Sequence, residues 1–135
     1  MSHMWPKLSR SATLDAVALS AQAARSFLHS TCTDARMPPE VIDTALLLVS
    51  EVVTNAIAHG DGSPVVDVDV QPDRLRVSVT DSAIGAPQVQ PQDELSENGR
   101  GLFIVDSLAA RWGMSPLVPT GKSIWFEIDR EQHIG

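Results

Sequence analysis

Apolar and polar positions alternate with two different periods along this chain, and the places where the period changes mark its elements. From Thr13 to His29 the spacing is helical: Leu14, Val17, Ala18, Ala21, Ala24 and Leu28 share one face with Arg25, and Ser11 or Thr13 caps the start. Thr31 to Arg36 reads as a polar connection. Pro38-Pro39 then opens a second helix, since proline is tolerated in a first helical turn. Its wide apolar face holds Val41, Ile42, Ala45, Leu46, Leu48, Val49, Val52 and Ala56, and Gly60-Asp-Gly62 stops it after about His59. The period then drops to two. Val66, Val68 and Val70 alternate with Asp67, Asp69 and Gln71, and Leu75, Val77 and Val79 alternate with Arg76, Ser78 and Thr80. Two half-buried strands joined by a tight turn at Pro72-Asp73 follow from that pattern.

The stretch from Asp81 to Asn98 has no apolar period and reads as a long loop, which inside a compact domain points to function. Gly99-Arg-Gly101 leads into a third helix of about ten residues carrying Leu102, Ile104, Val105 and Leu108. Arg111–Met114 and Ser123–Ile128 read as two closing strands. The resulting order is helix, helix, strand, strand, loop, helix, strand, strand. It predicts an α+β fold: a two-layer α/β sandwich with a mixed, mostly antiparallel sheet covered on one face by three helices.

Composition narrows the picture. The 135 residues leave room for one core, so Met1–Met4 is read as a cloning scar and residues 5–135 as a single domain. Hydrophobic residues make up 43%, enough for a packed interior. The formal net charge of -7 repels phosphate backbones and anionic lipid, which argues against direct nucleic-acid or membrane-surface binding. No apolar run approaches the roughly 18 residues of a membrane span. Cys32 is the one cysteine, so no internal disulfide forms. A reducing cytoplasm is the simplest setting for such a chain.

Four short segments carry candidate chemistry. Glu51 and Asn55 stand four apart on the second helix, one turn above the other, with His59 continuing the row. An amide oxygen there suits Mg2+, and a carboxylate suits proton abstraction from a hydroxyl; a solvated helix face is the plainer explanation of the same pair. Asp81 ends a strand and Gly85 follows four residues later. A fixed carboxylate can accept a hydrogen bond from an exocyclic amine, and glycine admits a flat base, although Asp and Gly also make ordinary turns. Asn98-Gly-Arg-Gly-Leu102 at a helix start offers amides, a helix dipole and the Arg100 charge to an anion, or else a simple hinge. Gly121-Lys-Ser123 lacks the earlier glycine of a phosphate-binding loop, where Pro116 stands, and precedes a strand, so that reading is rejected.

The ordered set decides what single pieces leave open. Ser50-Glu-Val-Val-Thr-Asn-Ala-Ile-Ala-His-Gly60, the Asp81 box, Asn98-Gly-Arg-Gly-Leu-Phe-Ile-Val105, Trp112-Gly113 and Gly121-Lys-Ser-Ile-Trp-Phe126 appear in the order of the N-box, middle box, glycine box and closing strands of the GHKL (Bergerat-fold) ATPases. The chain resembles that superfamily from about Leu8 to Ile128. Within it the chain looks most like the stand-alone anti-sigma-factor serine/threonine kinases, which often carry an arginine where Arg25 stands.

The resemblance implies ATP and Mg2+ as cofactors. Asn55 would hold the metal, Asp81 would read the adenine amine, and Gly85 would pack under the base. Gly99, Arg100, Gly101 and Leu102 would border the phosphates, Ser123 would supply a hydroxyl near adenine, and Glu51 would act as catalytic base. It further implies a sigma factor and an antagonist (anti-anti-sigma) protein as partners, and homodimers of the kind such kinases commonly form. One position departs from the family pattern: Ala83 stands where the middle box has a glycine. A nucleotide-binding module that transfers no phosphate therefore stays open as the alternative.

Overall fold

The computed structural model describes residues 4–14, 20–59, 63–81, 99–116 and 121–133. Their elements run β1 (Leu8–Thr13), α1 (Ser20–Asp34), α2 (Pro39–His59), β2 (Val65–Gln71), β3 (Arg74–Asp81), α3 (Gly99–Leu108), β4 (Arg111–Pro116) and β5 (Lys122–Asp129), ending in a 3-10 turn at Arg130–His133. The five strands form one sheet in the order β1-β2-β3-β5-β4. Every neighbouring pair is antiparallel.

Strand alternation explains the layering. Val66, Val68 and Val70 of β2, Leu75, Val77 and Val79 of β3, and Ile124, Phe126 and Ile128 of β5 are buried on one face. The helices cover that face with Ala24 and Leu28 from α1, Val41, Ala45, Leu48, Val49 and Val52 from α2, and Val105 from α3. The opposite face carries Asp67, Asp69, Arg74, Arg76, Trp125, Glu127 and Asp129. Here the α+β sandwich expected from the hydrophobic pattern is realised, with α2 packed between α1 and α3.

The N-terminal element is a correction. A helix beginning at Thr13 was expected, but residues 8–13 form an edge strand paired with β2, from Leu8 opposite Val70 to Thr13 opposite Val65. Leu8, Arg10 and Ala12 fall on the helix-covered side, while Ser9, Ser11 and Thr13 point outward. With Arg10 and the small Ala12 at two of its three helix-facing positions, this strand has a weak apolar alternation, and pairing with β2 overrides the local signal. The Ser9 hydroxyl donates to Asp69 at 2.8 Å across the pair. Residues 15–19, which the helical reading included, lie outside the described residues.

α1 also runs past His29 to Asp34, because Thr31 and Cys32 turn inward and are fully buried. Thr31 satisfies its hydroxyl on the carbonyl of Phe27 at 3.0 Å. The helix closes with paired bonds from Arg36 N to Thr33 O and from Met37 N to Cys32 O, and Arg36 takes φ 59°. Burial pushes the Cys32 thiol up to about 12, which keeps it protonated and unreactive.

Candidate nucleotide site

Three elements converge where the candidate residues lie. α2 spans the length expected from its period, starts with the amides of Val41 and Ile42 on the Pro38 carbonyl, and places Glu40 in its first turn against the helix dipole. About four turns later, Asn55 is carried into the interior at 4% exposure. Glu51, one turn earlier on the same side, is half-buried. β3 ends at Asp81, also 4% exposed. β5 begins at Lys122, the direct cross-strand partner of Asp81.

The contact that joins these elements is a hydrogen bond. Lys122 Nζ donates to Asn55 Oδ1 at 2.9 Å. An ammonium group has donors only, so it fixes which way the amide points: the oxygen faces Lys122. The other end, Asn55 Nδ2, is buried with no partner among the described residues. A buried, unmatched donor costs stability in the ligand-free protein and supplies a ready position for an acceptor oxygen. Gly121 enters the strand at φ 101°, a backbone conformation that glycine adopts without strain and that sets Lys122 in line with Asp81.

Strand alternation separates Ser123 from this cluster. Lys122, Ile124 and Phe126 share the helix-covered face, so Ser123 and Trp125 lie on the other. Ser123 accepts a hydrogen bond from Thr80 Oγ1 at 3.3 Å there. The inward position belongs to Lys122, to which the sequence assigns no role of its own beyond a rejected phosphate loop and a closing-strand motif. Its signal was available in principle: if Ile124 and Phe126 face the core, so does Lys122.

Gly99 and Gly101 lie in the first turn of α3, as the glycine box predicts, and Arg100 and Leu102 share that turn by backbone position. Gly85, Ala83 and most of the loop to Asn98 lie outside the described residues. Among the described residues no cluster of three or more His, Cys, Asp and Glu side chains could hold a metal ion.

A sequence model of the histidine kinase-like ATPase domain matches residues 12–128, most of the chain. The chain belongs to the histidine kinase-like ATPase family. Individual curated proteins give no match. The histidine kinase-like ATPase domain, a GHKL fold, accounts for the sheet and its three covering helices. The matched span begins within β1 and ends within β5. ATP is the ligand this family implies, and the donor set fits a purine nucleotide. A buried carboxylate at Asp81 can accept from an amine of the base, and Asn55 Nδ2 can donate to an anionic oxygen. Toward Mg2+ the fit is narrower, because the one hard oxygen offered by Asn55 already carries the Lys122 ammonium.

Proposed function

We propose that this histidine kinase-like ATPase domain binds ATP in the region of Asn55, Asp81 and the α3 N-terminus, and acts as an anti-sigma factor with serine kinase activity toward an antagonist protein. The observation that carries the nucleotide part is the joining of α2, β3 and β5 around the buried pair Asn55 and Asp81 through Lys122. In this reading Asp81 accepts from the adenine amine and Gly85 lies beneath the base. Gly99, Arg100, Gly101 and Leu102 border the phosphates, where α3 amides and dipole favour negative charge. Asn55 is the residue to which Mg2+ falls, and the metal would neutralise charge on the transferring phosphoryl group. Ser123 has no part here, because its hydroxyl is engaged with Thr80 on the far face.

Glu51 is the base of the proposed transfer. It takes the proton of a serine hydroxyl on the antagonist as that oxygen bonds to the γ-phosphorus and ADP leaves. Its partial exposure one turn from Asn55 supports access by a second protein. An open groove between α1 and α2, lined by Arg25, Ser26, His29, Leu46 and Ser50, borders the same stretch of helix and would admit a partner segment. The second reading, a domain that binds ATP and transfers nothing, is favoured by Ala83 and by the ammonium on Asn55. Sequestration of a sigma factor, homodimer formation and a cytoplasmic setting belong to the same proposal.

Labelled-phosphate transfer to a candidate antagonist separates the two readings. Glu51→Gln keeps size and hydrogen bonding but loses the basic oxygen, so ATP binding should persist while transfer falls about 10²–10⁴-fold. Transfer at the parent rate in Glu51→Gln removes Glu51 as the base. No transfer by the parent to any antagonist leaves the binding module.

A further inference from the structure

We infer that Lys122 is a resident cation of the nucleotide site, competing with Mg2+ for the Asn55 oxygen and lowering the metal dependence of nucleotide binding. The inference rests on the nucleotide reading above and goes beyond it.

Three observations converge on Lys122. Its Nζ lies 2.9 Å from Asn55 Oδ1, the oxygen through which an asparagine would ligate a metal. Asn55 is 4% exposed and Lys122 is half-buried, so the contact is screened less than a pair in open solvent. The orientation that the ammonium imposes also turns Asn55 Nδ2 into an unmatched buried donor. Asn55 and Lys122 therefore already present a positive charge and a spare N–H, both suited to phosphate oxygens, in the place where the family role calls for one metal ligand. A divalent cation arriving at Oδ1 meets the ammonium at close range, and like charges there repel strongly in a low-dielectric interior.

The strand geometry makes Lys122 a fixed part of the site. Gly121 at φ 101° opens β5, and the register with Asp81 sets Lys122 on the helix-facing side. A flexible four-carbon stem lets the ammonium stay on Asn55 in the free protein and shift to an anionic oxygen when one binds. Metal entry requires that shift, so Lys122 opposes Mg2+ and supplies part of the charge the metal would bring.

Nucleotide titrations of the whole chain by calorimetry, with Mg2+ or with EDTA, test this through the ratio of the dissociation constant in EDTA to that with Mg2+. Lys122→Met removes the cation; Lys122→Gln removes the charge but keeps a donor for Asn55 Oδ1, which protects the fold; Lys122→Arg keeps the charge. The ratio should rise about tenfold in the Met and Gln variants relative to the parent and stay near the parent value in Arg. A residue that merely satisfied Asn55 would lower thermal stability when replaced and leave the ratio unchanged. An unchanged ratio in both Lys122→Met and Lys122→Gln overturns the inference. If no variant and no parent protein binds nucleotide with or without Mg2+, the nucleotide reading itself fails and the inference falls with it.

Discussion

Glu127 shows what one residue does on the sheet face away from the helices. It is 8% exposed, and burial alone opposes its charge. Arg74 lies 3.7 Å away, and Arg111 Nε and Arg76 donate to it at 2.6 Å and 3.2 Å; these last two hold its carboxyl below the ordinary glutamate range. Arg111 also pairs with Asp129, and its own pKa is raised by these carboxylates. A depressed carboxyl pKa contributes stability above the unfolded value and loses it as pH falls through the folded value. Denaturant titrations between neutral and acid pH should therefore show the parent losing stability below roughly pH 4.3 more steeply than Glu127→Gln. Parallel acid limbs would mean that Glu127 ionisation is not linked to folding. At this scale the sequence was only partly readable. Asn55 and Asp81 stood out through helix spacing, a strand end and their place in an ordered set of motifs; Lys122 follows from the alternation of β5 alone, whereas the arginines around Glu127 depend on strand registers that a single strand does not reveal.

Between residue and molecule, the elements followed their periods where the period was strong. α2 and the β2–β3 hairpin lie where apolar spacing and the Pro72-Asp73 turn predict them. β1 has no clear period because Arg10 and Ala12 give its inward side little apolar character, and pairing with the edge of β2 defines it. The β4–β5 pair adds a close fit that no period announces. Gly113 faces Trp125, and a Cβ at residue 113 would come within 2.8 Å of the indole nitrogen. Trp125 is held on its other side by Arg76, whose guanidinium lies 4.1 Å from the ring centroid. Gly113→Ala should therefore cost about 1–3 kcal/mol in chemical denaturation, while Ser115→Ala, exposed on the same strand, stays within about 0.5 kcal/mol. Equal stability of the two variants would show that the ring has room to move.

The whole molecule combines a packed helix–sheet core with a site at the junction of α2, the β3 end and the β5 start. The layer arrangement was legible because two valine-rich strands with one apolar face demand a cover, and three amphipathic helices supply it. The candidate site was proposed from an ordered set of boxes, and the structure brings Asn55 and Asp81 into one buried neighbourhood through Lys122. The role given to Ser123 came from its place in a motif, and strand alternation puts its side chain on the other face. The proposal at the centre is that Asp81 reads adenine at this site. Calorimetric titration of the parent and of Asp81→Asn with ATP and GTP tests it most directly. The parent should prefer ATP, and Asp81→Asn should lose about 1.5–3 kcal/mol of ATP affinity, roughly 10- to 150-fold, with its thermal stability little changed. Equal binding of ATP and GTP by the parent, or undiminished ATP binding by Asp81→Asn, would contradict it.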